Sequence, residues 1–146
     1  MAEGILRHKL RARGAALVDG PGEGWWVDSA GTGGHHAGED AHPRTRAVLA
    51  RVGASFAHAA RQVTRRDFDQ FDLLLAMDGA NHADLLRMAP AGEAHKVQRM
   101  LAWTTGGDVP DPWYGGPEDY DEVFALLDAA IDAWLERWDQ AAPGAR

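Results

Sequence analysis

The segment "VPDPWYGG", Val109 to Gly116, sets a carboxylate between two prolines and follows it with two aromatic rings and a glycine pair. Proline on either side restricts the backbone at Asp111, so its carboxyl can be presented to a ligand at little entropic cost, as a general acid or base requires. Trp113 and Tyr114 can wall an aromatic substrate. The same string also reads as a Pro-Gly surface turn, because D-P and G-G are common loop punctuation. "GGHHAGEDAH" gathers His35, His36, Asp40 and His42 in a manner that suggests a metal site. No fixed i,i+4 helical pair or cysteine supports that suggestion, and the glycines leave the geometry undefined, so no metal is expected. Ser29, after a short apolar run, and His58, before "ARQVT", read equally well as structural groups, since spacing alone gives no Ser-His-Asp order. "SAGTGG" lacks the lysine of a phosphate-binding P-loop and any helix directly after it.

Composition narrows the chemistry further. The chain has 146 residues, a net charge of -7 and no cysteine. The acidic balance works against a nucleic-acid partner, whose affinity comes largely from lysine and arginine displacing counterions. The absence of cysteine excludes disulfides, thiolate zinc sites and a cysteine nucleophile among these residues. Apolar residues are interrupted too often for a membrane span or a signal-peptide core, so no membrane association is expected and the cytoplasm is the default location. The length suits one domain, taken as 1–146, with a loose tail from 139.

The elements that must position these groups alternate. Ala2, Ile5, Leu6 and Leu10 recur at helical spacing from the second residue, with no strand, turn or capping side chain before them. "RHKLRAR", Arg7 to Arg13, surrounds Leu10 and reads as the solvated face of that helix. Turn chemistry in "DGPGEG" leads to "WWVDS", a short strand, and then to a loop. Pro43 opens a second helix with Ala47, Val48, Leu49 and Val52 on one face and Gly53 as its stop. "FDLLLAMD" carries an unbroken apolar run from Leu73 to Met77, the pattern of a strand covered on both faces. Asp78 can cap the helix that follows, and a shorter strand lies near Val97 to Leu101. The last helix carries the stripe Val123, Leu126, Leu127, Ala130, Ile131, Trp134, Leu135 and Trp138. This alternation predicts an open α/β sheet whose ligands sit beyond the carboxyl ends of the strands. Only three strands are legible.

"MAEGIL", "VDSAGTGG", "HPRTRAVL", "HAARQVTRRDFDQFDLLLAMD" and "VPDPWYGG" occur in the order found in the low-molecular-weight protein tyrosine phosphatases, and the chain resembles that family from residue 1 to about 138. The resemblance implies a three-layer α/β fold with a parallel sheet of order 2-1-3-4. It also implies hydrolysis of phosphotyrosine proteins or small aryl phosphates through a cysteinyl-phosphate intermediate, with no cofactor. Asp111 aligns with the family's general acid, Trp113 and Tyr114 with its aromatic wall, and Ser29 and His58 with residues that brace the phosphate loop. His42 stands where an Asp often caps the second helix, His35 replaces a common Trp and Trp113 a common Tyr. Related arsenate reductases need additional cysteines, and these residues hold none.

In the family, a first strand leads into a loop of the form C-x-G-N-x-C-R-S-P, and the helix beginning M-A-E follows at once. That central strand, the nucleophilic Cys and the phosphate-binding Arg are therefore expected to be absent from this chain. Such a chain is expected to fold poorly or aggregate, because its two neighbouring strands would become exposed edges, and to be inactive alone. The alternative is a catalytically dead phosphatase-like binding or regulatory module that keeps the aromatic cleft.

Overall fold

Every third or fourth residue of the last helix is buried: Tyr120, Val123, Leu127, Ala130, Ile131, Trp134 and Leu135 form its inner stripe. That spacing makes one face of the 25-residue α5, Pro117–Ala141, apolar throughout. The computed structural model describes residues 1–34 and 37–141. α5 continues through Ala141, so positions 139–141 of the expected tail are helical, while 142–146 lie outside the described residues.

α1, Ala2–Ala12, and α2, Pro43–Arg51, pack on α5. Gly4 permits the approach of α2, for a Cβ there would meet Leu49 Cδ1 at 2.8 Å and Phe56 Cε1 at 2.9 Å. Within the basic stretch of α1, His8, Arg11 and Arg13 are exposed as expected of a solvated face, but Lys9 and Arg13 also form a seam with α5. Lys9 Nζ lies 2.8 Å from Asp128 Oδ1 and 2.8 Å from Asp132 Oδ1, and Arg13 pairs with Asp139. Burial works against the Lys9 charge, but hydrogen bonds to the two aspartates prevail and raise its pKa. On α2 the inner face is Thr45, Val48 and Leu49; Ala47 and Val52 are exposed, contrary to the predicted face.

The four short strands form two parallel pairs among the described residues. β1, Leu17–Val18, pairs with β2, Trp25–Trp26; β3, Leu74–Ala76, pairs with β4, Val97–Arg99. β1 is a fourth strand that apolar patterning did not reveal. Its short link to β2 needs Gly24, at φ 125°, where a Cβ would meet Val18 Cγ1 at 2.9 Å. Between β3 and β4 run α4, Gly79–Met88, and a 3-10 turn, Ala94–Lys96, and the five-residue α3, Arg66–Gln70, precedes β3. Asp78 caps α4 as expected, its Oδ1 accepting from the Asn81 N–H at 2.7 Å.

β3 divides the core. Leu73, Leu75 and Met77 pack with the larger cluster around α1 and α5, while Leu74 and Ala76 pack with Val63, Phe68, Leu85 and Val97 beside α4. This alternation within an unbroken apolar run gives helix, sheet and helix layers, the three-layer α/β arrangement that the family resemblance implied. Trp134 ties two layers together, its indole N–H donating to the Met100 carbonyl at 2.8 Å. Among the described residues the β1–β2 and β3–β4 pairs do not join. A cavity of about 640 Å³ lies between β2 and β3, bounded by both strands and by side chains of the layers on either face.

Candidate active site

Val109 fixes the start of the Asp111 loop to the sheet, its N–H donating to the Met77 carbonyl just past β3 at 2.7 Å. The loop then folds on itself. Asp111 Oδ1 accepts from the Trp113 N–H at 3.0 Å, the local turn that aspartate readily makes. The Gly115 N–H donates to the Pro112 carbonyl at 2.7 Å, and Arg44 of α2 donates to the Gly115 carbonyl. Asp111 is exposed, Trp113 is 40% exposed and Tyr114 is 98% exposed. Asp111 and Tyr114 line a cavity of about 330 Å³ with Asp119 and Glu122; Asp111 is not among the residues lining the larger groove.

His42 joins this loop to the helices. Its Nδ1 accepts from the Arg44 N–H at 3.1 Å, so the imidazole caps α2 where the resemblance leads one to expect aspartate. The ring lies 4.8 Å from that of Trp113, edge-on, and 5.1 Å from that of Tyr120, stacked. The Tyr120 hydroxyl donates to the Trp113 carbonyl at 3.4 Å. Burial raises the Tyr120 pKa; Arg44 opposes this and Asp111 adds to it. Asp40 turns to the Ala41 N–H and lies 3.8 Å from Arg46, while His35 and His36 lie outside the described residues.

Ser29 and His58 converge on a carboxylate. Ser29 Oγ donates to Glu3 Oε1 at 2.6 Å, and His58 Nδ1 stands 3.8 Å from the same oxygen. Arg7 Nε donates to Glu3 Oε2 at 2.9 Å and its terminal nitrogen to the Val27 carbonyl at 3.1 Å. Glu3 is buried in the first turn of α1, where a negative charge complements the exposed N–H groups of the helix end. Burial lowers the pKa of the Met1 amine, with Glu3 pulling it back up. Sequence reasoning passed over Glu3; an acid and a base at i,i+4 on an otherwise apolar helix was its one visible signal.

A second buried carboxylate, Asp67, anchors the far wall of the groove. Arg61 reaches Asp67 with two nitrogens, at 2.9 and 3.0 Å, and Asp28 with a third at 2.9 Å. Burial alone would raise the Asp67 pKa, but the Arg61 bonds and the Thr64 N–H lower it. The structure thus makes two groups of the expected site residues: Asp111, Trp113 and Tyr114 on one loop, Ser29 and His58 around Glu3.

The low molecular weight phosphotyrosine protein phosphatase family matches residues 1–142. A low molecular weight protein-tyrosine-phosphatase of Streptomyces coelicolor is 41% identical over 142 residues, covering 92% of this chain and 82% of the relative. Among solved structures, a protein tyrosine phosphatase from Entamoeba histolytica superposes with a TM-score of 0.85 at 29% identity, over 96% of this chain and 88% of that one. YfkJ from Bacillus subtilis superposes with a TM-score of 0.83 at 33% identity, over 96% and 86% of the two chains. Fold, motif order and relatives agree, and the chain belongs to the low molecular weight phosphotyrosine protein phosphatase family.

Proposed function

We propose that this fold serves the hydrolysis of phosphotyrosine or small aryl phosphate esters, with Asp111 as the acid that protonates the leaving phenolate. The observation that carries the reading is the bond from Val109 to Met77, which holds the Pro110–Asp111–Pro112 turn at the carboxyl end of β3, where open α/β sheets bind ligands. Relatives named as phosphatases support it.

In this reading a thiolate attacks phosphorus, and an S–P bond forms as the aryl P–O bond breaks. Asp111 gives its proton to the departing oxygen. The resulting carboxylate then takes a proton from water, whose oxygen displaces the thiolate and releases inorganic phosphate. Oδ1 stays with the Trp113 N–H and Oδ2 carries the proton. Trp113 and Tyr114 flank the ring of the leaving group. Ser29 and His58 act at one remove, holding Glu3 and with it the first turn of α1, whose N-terminus favours a phosphate dianion. These 146 residues hold no cysteine, so the chain alone does not complete the reaction. A thiolate enzyme suits the reducing cytosol, and no helix among the described residues is long and apolar enough to cross a membrane.

The test compares the purified chain with one joined at Met1 to an apolar strand and a C-x-G-N-x-C-R-S-P loop, using p-nitrophenyl phosphate and phosphotyrosine. The chain alone should show no turnover; the extended chain should turn over, and Asp111→Asn should lower its kcat by about 10²- to 10⁴-fold. The loss should be greater for phosphotyrosine, whose more basic leaving group needs the proton more. Turnover by the unextended chain, or an unaffected Asp111→Asn variant, overturns the reading. A folded extended chain that binds aryl phosphate without hydrolysing it favours the binding module instead.

A further inference from the structure

Asp108 ties the root of the Asp111 loop to two elements at once. Its Oδ1 accepts from the N–H of Gly79, the first residue of α4, at 3.0 Å, and from the guanidinium of Arg99, the last residue of β4. Gly79 leaves room for that guanidinium, since a Cβ there would meet Arg99 Nη2 at 3.0 Å and Asp108 Oδ1 at 3.8 Å. The first N–H groups of a helix have no partner within it. α4 meets two of its own with carboxylates from different places: its cap Asp78 takes the Asn81 N–H, and Asp108, 29 residues beyond Gly79, takes the Gly79 N–H. The next residue along, Val109, donates to the Met77 carbonyl. Two consecutive residues are thus held, one by its side chain and one by its backbone, at the carboxyl ends of β3 and β4.

The Arg99 and Asp108 side chains are 33% and 59% exposed, and an ion pair this open to solvent contributes little to global stability. What the pair does determine is how the chain enters the Pro110–Asp111–Pro112 turn. A single hydrogen bond at Val109 would leave the loop free to pivot; the second attachment, one residue earlier, removes that freedom. The prolines on either side of Asp111 then allow little correction between root and carboxyl. We infer that Asp108 is a positioning residue for Asp111: with Arg99 and the Gly79 N–H it sets where the acid stands, while the bonds within the loop set the loop's shape. This rests on Asp111 as the acid of the reaction proposed above. Proton transfer needs its heavy atoms within hydrogen-bond reach, and a displacement of about 1 Å can cost roughly 10²-fold in rate.

The test combines Asp108→Ala with Asp111→Asn, singly and together, in the extended chain, using p-nitrophenyl phosphate and phenyl phosphate, whose leaving phenolate is more basic. Asp108→Ala should lower kcat by about 10- to 10²-fold for phenyl phosphate and by less for p-nitrophenyl phosphate, with KM unchanged. In the Asp111→Asn background it should cost less than about twofold, because no acid is left to position. Asp108→Asn, which keeps an acceptor oxygen without the charge, should recover most of the loss. A loss as deep as that of alanine makes the charge responsible and overturns the inference. So does an equal loss in both backgrounds, or one blind to the leaving group, since either marks a merely structural role. If Asp111→Asn is itself without effect, the acid assignment falls and the positioning role with it, a pattern distinct from the others. A second readout needs no turnover. In the 146-residue chain, Asp108→Ala should speed amide exchange at Val109 by about tenfold or more and leave Gly115 unchanged. Arg99→Ala should act in the same way but more weakly. Unchanged exchange at Val109 in both variants overturns the inference.

Discussion

The loop from Val109 to Gly116 and the groove between β2 and β3 meet at Met77, whose carbonyl holds the first and which is among the residues lining the second. They are built in opposite ways. The loop satisfies its polar groups within a few residues of itself and against the start of α2: Asp111 with Trp113, Gly115 with Pro112, Gly116 with Asp119, Arg44 with Gly115. The groove is assembled from elements far apart in the chain and leaves strand edges facing one another. A loop of the first kind keeps its shape whatever happens in the sheet. A groove of the second kind takes its stability from its walls, so damage to a wall should unfold the protein while damage to the loop should not.

The largest effect should come from Trp134, which is 5% exposed in the wall of the groove and bonded to the Met100 carbonyl. Trp134→Ala removes that bond and opens a cavity between layers, at a cost of about 3–5 kcal/mol. A drop in the thermal midpoint of roughly 10 °C, read by calorimetry, is expected for a domain of this size. Trp134→Phe keeps most of the volume and orphans only the Met100 carbonyl, so it should cost about 1–2 kcal/mol. Equal losses for the two variants would show that packing on this wall does not matter, and would erase the contrast with the loop.

The Arg61–Asp67 pair sharpens the same contrast through pH. Arg61→Ala leaves Asp67 buried without its partner; the cost should be about 2–3 kcal/mol, below that for fully buried pairs because the Arg61 side chain is 35% exposed. The folded pKa of Asp67 is lowered, burial being outweighed by Arg61 and the Thr64 N–H. Its contribution to stability is therefore complete above the unfolded carboxylate value of about 3.9 and is lost as pH falls through the lower, folded value. Denaturant midpoints followed downward from pH 6 should fall less steeply for Arg61→Ala than for the parent. Parallel curves would remove Asp67 from the account.

What could be read from the sequence follows the same division. β3 was legible because both its faces are covered, which leaves an unbroken run from Leu73 to Met77; α5 was legible because its stripe is long. The Asp111 loop was legible because its turn is made locally by Pro, Asp and Gly. β1 was not, for two residues carry no period, and Leu17 and Val18 are strand only because Trp25 and Trp26 lie beside them. α3 has five residues, too few for a stripe. The basic face of α1 looked solvated because its partners, Asp128, Asp132 and Asp139, lie more than a hundred residues away. Ser29 and His58 were found through the family resemblance, whereas Glu3, the group they surround, was hidden as a charged residue at a helix start.

The smallest effect should be at His42, where the loop touches the rest of the molecule. Two contributions are at stake: the cap on the Arg44 N–H, about 0.5–2 kcal/mol, and the ring contacts with Trp113 and Tyr120, about 0.5–1.5 kcal/mol. Replacement by alanine removes both, yet Tyr120 is 1% exposed and stays packed, and the Asp111–Trp113 and Gly115–Pro112 bonds do not involve His42. His42→Ala should therefore lower global stability by about 1–2 kcal/mol, through the α2 cap, and speed exchange of the Trp113 amide no further than that loss allows. His42→Asn, which can accept the Arg44 N–H but lacks the ring, divides the two contributions: recovery of most of the stability assigns the loss to the cap. If the Trp113 amide instead exchanges as though free in His42→Ala, the loop owes its shape to α2 and not to itself, and the distinction between a self-held loop and a wall-dependent groove fails at this residue.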